Sequence, residues 1–96
     1  MKMTFEEFQR RIEAIYFVRD SERGVEGTFI WFAEEVGELA KELRKHRRDH
    51  QRLKEELADV LAWLTTIASL LDIEMEECAR VYADGCPKCR RTPCEC

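Results

Sequence analysis

Apolar residues recur three and four apart in four stretches of this chain, and nowhere alternate in the period of two that marks a strand. The first stretch sets Phe5, Phe8, Ile12, Ile15 and Tyr16 on one helical face. Thr4-Phe-Glu-Glu7 ahead of it has the form of a capping box, in which the hydroxyl and the carboxylate satisfy free amides at a helix start. A helix is predicted from Thr4 to about Arg19, followed by a loop over Asp20-Ser-Glu-Arg-Gly-Val-Glu-Gly27. The second helix runs from about Thr28 to Lys45. Arg44-Lys-His-Arg-Arg-Asp49 then turns the corner, with cations placed where they complement the negative end of that helix. Asp49 caps a third helix reaching about Leu71. Asp72 caps a short fourth through Glu74, Cys78 and Val81, which Gly85 stops. Four helices with short connections predict an all-α, antiparallel four-helix bundle.

The second and third stretches repeat one pattern. Phe32-Ala-Glu-Glu-Val-Gly-Glu-Leu-Ala-Lys-Glu-Leu43 returns as Leu53-Lys-Glu-Glu-Leu-Ala-Asp-Val-Leu-Ala-Trp-Leu64. Val36, Leu39 and Leu43 fall within about 40° of Phe32 around the helix, and Glu35 and Glu38 sit together on the flank of that stripe. Glu56 and Asp59 take the same places beside Leu53, Leu57, Val60 and Leu64. Two helices packed through these stripes bring Glu35, Glu38, Glu56 and Asp59 toward one point, a donor set suited to a hard divalent cation. A single Glu-Glu-x-x-Glu reads as a solvated face. The flank position, the repulsion between acids four apart, and a mid-helix Gly37 matched by the small Ala58 favour a metal site instead. Glycine there costs roughly 1 kcal/mol relative to alanine, which suggests close approach by another backbone.

Ninety-six residues make one domain with a marginal core, so oligomerisation is expected, as a homodimer or homotetramer. The net charge of −4 is spread over many residues of both signs, so nucleic-acid binding is not favoured. No apolar run approaches the roughly 20 residues of a membrane span, and Met1-Lys-Met-Thr4 opens a helix rather than a signal peptide. A soluble, cytoplasmic protein is expected. The composition divides the chain into a helical domain over residues 1–84 and a cysteine-rich tail over residues 85–96.

Glu34-Glu35-x-x-Glu38, followed by Glu56-x-x-Asp59, resembles the signature of the MazG-type all-α nucleoside triphosphate pyrophosphohydrolases. The words Glu35-Val-Gly-Glu-Leu39 and Glu56-Leu-Ala-Asp-Val60 are similar to that family's, and the resemblance covers about residues 4–80. It implies a MazG-like helical bundle completed by dimerisation, and Mg²⁺-dependent (or Mn²⁺-dependent) cleavage of a nucleoside triphosphate to monophosphate and pyrophosphate. It further implies Glu35, Glu38, Glu56 and Asp59 as Mg²⁺ ligands, with Glu34 orienting or deprotonating the attacking water. Like charges gathered at one site should hold their protons more tightly when no metal is bound.

Trp63 lies four residues beyond Asp59, and Trp31 four before Glu35. Each can stack on a nucleobase or serve as a core or interface aromatic. Family members often continue past the fourth helix with phosphate-holding Lys, Asn and Arg. Here Arg80 is followed by Val-Tyr-Ala-Asp-Gly, which leaves Lys54, Arg80, Lys88, Arg90 and Arg91 as candidates. Phosphoribosyl-ATP pyrophosphohydrolase is a rival within the class. A non-enzymatic zinc-binding module that contacts nucleic acid through Arg44-Lys-His-Arg-Arg48 is a rival from another.

Cys86-Pro-Lys-Cys89-Arg-Arg-Thr-Pro-Cys94-Glu-Cys96 packs four thiols into eleven residues. Cys-x-x-Cys is the spacing at which two thiolates grip one tetrahedral ion, and the second pair completes four ligands. A structural Zn²⁺ is expected, with redox-active or free thiols as the alternatives. Cys78, on the apolar side of the last helix, is expected to be a core residue.

Overall fold

The structure is a computed structural model that describes residues 1–96. It contains helices and turns only: α1 (Phe5–Leu43), α2 (His50–Leu70) and α3 (Met75–Arg80). Three helices therefore stand where the sequence predicts four. The expected loop at 20–27 is helical except at Gly24, whose φ of 82° and ψ of 173° break α1 into two arms. One residue suffices for the bend because glycine adopts a positive φ without a clash. Arg19, Asp20 and Glu22 continue the helix up to it, and Thr28 Oγ1 donates to the Gly24 carbonyl at 2.7 Å just beyond it. A straight helix of 39 residues would run about 58 Å, against a largest molecular extent of 40 Å.

The starts of α1 and α2 follow from local chemistry. Glu7 N–H donates to Thr4 Oγ1 at 3.0 Å and Thr4 N–H to Glu7 Oε1 at 2.9 Å, which completes the capping box. Asp49 accepts from the amides of Gln51 (3.0 Å) and Arg52 (3.3 Å). The expectation for Asp72 is overturned. It does not cap α3 but stands at φ 58° just beyond α2, where Asp72 N–H bonds the Ser69 carbonyl and Ile73 N–H the Ala68 carbonyl. That pair of bonds is a Schellman ending, in a position that usually holds glycine. The N-cap of α3 is Glu74, whose side chain makes no capping bond. The first amide of α3, on Met75, is instead taken by Gln9 Oε1 of α1 at 2.8 Å. Gln9 Nε2 also donates to Ser69 Oγ and to the Ile73 carbonyl, both at 3.0 Å, so one buried side chain ties all three helices. Ser69 Oγ in turn donates to Glu13 Oε2 at 2.7 Å.

α2 runs antiparallel to α1 and touches both of its arms. The buried apolar residues are Ile12, Ala68 and Met75 alone, beside the buried polar residues Gln9, Asp20, Thr28, Glu42, Thr65 and Thr66. Of the expected first-helix face, Ile12 is buried and Phe8 half-buried, whereas Phe5, Ile15 and Tyr16 are exposed. The repeated stripes split in the same way. Phe32, Leu39, Leu53 and Val60 are half-buried, while Val36, Leu43, Leu57 and Leu64 face outward. Gly37 meets no backbone: a Cβ built there has nothing within 4 Å, and Ala58 is exposed as well. Cys78 is exposed rather than in the core. With so short an α3 and no fourth helix across the bundle, the apolar faces stay uncovered in one chain. The chain exposes 7717 Å², where a compact monomer of 11.4 kDa would expose about 5,800 Å².

Candidate active site

Three positions along α1 meet three along α2 in one register. Trp31 lies beside Trp63, Glu35 beside Glu56 and Asp59, and Glu42 beside Arg52. Each step of four or seven residues forward along α1 is matched by the same step backward along α2, which is what antiparallel packing requires. The two copies of the acidic motif therefore face each other. Carboxylate oxygens of Glu35, Glu56 and Asp59 all lie within 4.8 Å of one another. Glu38 and Glu34 are exposed at the rim of this group, outside its tight set but near enough to act on the charge of Glu35.

Electrostatics mark the cluster as costly by itself. Burial pushes the Glu35 carboxyl above its ordinary range, and the charges of Asp59, Glu56, Glu38 and Glu34, in that order, push it further. Glu56 Oε2 is buried and accepts no hydrogen bond. A buried carboxylate oxygen without a donor loses hydration and regains nothing, unless a cation takes the place of the missing donor. The all-oxygen donor set fits a hard divalent cation such as Mg²⁺ or Mn²⁺.

Beside the acids the bend in α1 creates a cavity of about 230 Å³, lined by Tyr16, Arg19, Asp20, Arg23, Asp59, Ala62, Trp63 and Thr66. Arg23 donates to the buried Asp20 at 2.9 Å, and its guanidinium lies 4.9 Å from the centre of the Trp63 ring. Arg19 makes no ion pair, so one fixed and one free guanidinium face the hollow beside Asp59. Both arginines escaped the sequence reading, in which they ended a helix and entered a loop. Their four-residue spacing was visible, but nothing local shows that Gly24 turns that face onto α2.

Trp31 and Trp63 stack on each other, with ring centres 6.1 Å apart and planes 12° from parallel. With Arg23 also over Trp63, a nucleobase would have to displace one of these partners to stack there. Lys54 is exposed on α2 and Arg80 closes α3, the helix that packs on the first turns of α1; neither makes an ion pair. The basic run near residue 45 is engaged at the end of α1. Lys45 Nζ pairs with the buried Glu42 at 2.9 Å, and Arg48 Nε donates to the Leu43 carbonyl at 3.2 Å.

An all-helical scaffold sets opposed acids, a donor set able to hold a metal ion, beside an arginine-lined hollow. The chain belongs to the MazG nucleotide pyrophosphohydrolase domain family, whose model matches residues 23–91. That match runs from the bend of α1 through both acidic motifs and into the cysteine segment. No curated protein matches the chain. No helix is long and apolar enough to cross a membrane.

Proposed function

We propose that this protein hydrolyses nucleoside or deoxynucleoside triphosphates between the α- and β-phosphates, releasing the monophosphate and pyrophosphate, with Mg²⁺ as cofactor. The observation that carries the reading is the meeting of Glu35, Glu56 and Asp59 around the buried, unpartnered Glu56 Oε2. These three, with Glu38 from the rim, would hold the cation. Bound there, Mg²⁺ would supply neutralisation of phosphate charge and acidification of water. Glu34, exposed next to Glu35, would take the proton of the attacking water as the bond to the α-phosphorus forms. Arg19 and Arg23 would bind phosphate oxygens, with Asp20 fixing the direction of Arg23. Lys54, Arg80 and the arginines of residues 85–96 have no such placement within one protomer.

A cavity of about 230 Å³ is smaller than the roughly 300–1,000 Å³ of typical ligand sites, so it holds the phosphate end rather than a whole nucleotide. The remaining wall would come from a second copy of the chain. The excess exposed surface, roughly 1,900 Å² beyond that of a compact monomer, is of the size that a stable dimer covers. The outward Val36, Leu43, Leu57 and Leu64 give that interface its apolar part.

Pyrophosphate release from a panel of NTPs and dNTPs, with Mg²⁺ and with chelator, tests the activity. Wild-type protein should turn over only with metal, and Asp59→Ala and Glu38→Ala should each lose at least about 100-fold, given the several kcal/mol that carboxylate-bound metal contributes. Wild-type rates in both variants would refute the assignment. Exclusive turnover of phosphoribosyl-ATP, included in the panel, would redirect it.

A further inference from the structure

Residues 85–96 form a segment that the acidic site does not use. Gly85 (φ 99°) and Arg90 (φ 61°) both take the left-handed region. Around them the chain closes on itself, Arg90 N–H to the Cys86 carbonyl at 2.7 Å and Cys86 N–H to the Arg91 carbonyl at 3.1 Å. A Cβ at Gly85 would sit 2.6 Å from Thr92 Oγ1 and 3.0 Å from the Arg91 carbonyl oxygen, so only glycine fits the turn. Arg90 has a Cβ and still adopts the left-handed conformation, at a cost of roughly 1–2 kcal/mol.

Hydrophobic burial does not account for this closure, because no residue from 85 to 96 is buried and the segment's only non-polar side chains are prolines and cysteines. What the turns achieve is the convergence of four sulfurs. Sγ atoms of Cys86, Cys89, Cys94 and Cys96 all lie within 4.8 Å of one another. Cys86 and Cys96 stand 3.7 Å apart and Cys89 and Cys94 3.9 Å apart, far beyond a disulfide bond of about 2.05 Å. A tetrahedral ion with thiolates at about 2.3 Å sets its ligands about 3.8 Å from one another, which both pairs match. Amides of the same segment point at the sulfurs: Glu95 N–H donates to Cys89 Sγ and Cys96 N–H to Cys94 Sγ, each at 3.4 Å. Such donors are the outer support that thiolate ligands usually have. Four thiolates around a divalent ion leave two negative charges, beside which stand Lys88, Arg90 and Arg91.

From this geometry we propose that Cys86, Cys89, Cys94 and Cys96 bind one Zn²⁺, and that this ion holds residues 85–96 in their fold. The soft sulfur donors select zinc over the hard cations that suit the carboxylates, so the two sites take different metals. The thiolate site shares no residue with the acidic cluster, and α3, which packs through Met75 and Gln9 onto the start of α1, lies between the two along the chain.

The full chain, prepared in zinc-supplemented medium with reductant and without chelator, is assayed by elemental analysis, Co²⁺ exchange and tryptic digestion. About one zinc per chain is expected, falling at least five-fold in Cys89→Ser and in Cys94→Ser. Co²⁺ should give the thiolate charge-transfer and strong d–d bands of a tetrahedral sulfur site. Those bands also separate this site from zinc held by carboxylates. Trypsin cleavage at Lys88, Arg90 and Arg91 should quicken at least ten-fold in wild-type protein once a chelator removes the ion. Less than half a zinc per chain, iron in its place, a Co²⁺ spectrum without thiolate bands, or disulfides within the tail would each overturn the proposal.

Discussion

Glu35→Gln keeps the shape of the side chain at the centre of the acidic cluster and removes its charge. Unit charges 4.8 Å apart repel by about 1 kcal/mol in water and about 3.5 kcal/mol at an effective dielectric of 20. Glu35 is half-buried and has two neighbours within that distance, Glu56 and Asp59, with Glu38 and Glu34 farther out. Solvent screening and reorientation of the exposed groups relieve much of the repulsion in the wild type. The variant should then be more stable than the wild type by about 1–2 kcal/mol without metal near pH 8. The folded-state pKa of Glu35 is raised, so its contribution to stability is fully present below the ordinary carboxyl value of 4.5 and is lost as pH rises through the raised value. The gap between the proteins should therefore narrow at acid pH. Saturating Mg²⁺ should close or reverse it, since the wild type binds the ion better and gains by mass action. Urea unfolding at one fixed protein concentration, near pH 5 and pH 8, with EDTA and with Mg²⁺, measures all four combinations. The same variant should lose hydrolysis by at least about 100-fold, a trade of stability against function. A wild type as stable as Glu35→Gln in EDTA near pH 8 would show that the acids do not strain the fold, and the electrostatic reasoning would fail.

Gln9→Ala removes three hydrogen bonds at once and leaves the Met75 amide without its partner, which should cost about 3 kcal/mol in urea unfolding. A loss below about 1 kcal/mol would mean that water replaces the side chain readily. Gly24→Ala meets no atom within 4 Å, so its cost is that of a φ of 82° with a ψ of 173°, a region essentially reserved for glycine, about 1–3 kcal/mol, and an unchanged melting temperature would contradict the bend.

Much of the architecture was legible in the residues themselves. Helical periodicity, the Thr4–Glu7 box and the Asp49 cap depend on neighbours within one turn, and the structure has each of them. So do the matching offsets of the two acidic motifs. Once the helices pair antiparallel, equal steps in opposite directions must meet, as they do at Trp31 with Trp63 and at Glu35 with Asp59. The four cysteines likewise reach one another through turns inside eleven residues. Other features depended on which way the chain bends and which faces then touch. The composition of 20–27 reads as a loop, yet one φ at Gly24 carries the whole change of direction. Asp72 has the chemistry of an N-cap, but it ends α2, because Gln9 arrives from 66 residues away to take the Met75 amide. Arg19 and Arg23 became candidates for phosphate only when the bend laid them beside Asp59. Local hydrogen bonds and side-chain periodicity are written along a strip of chain a few residues long. The meeting of distant side chains is set by helix register and bend angle, which only the assembled packing decides.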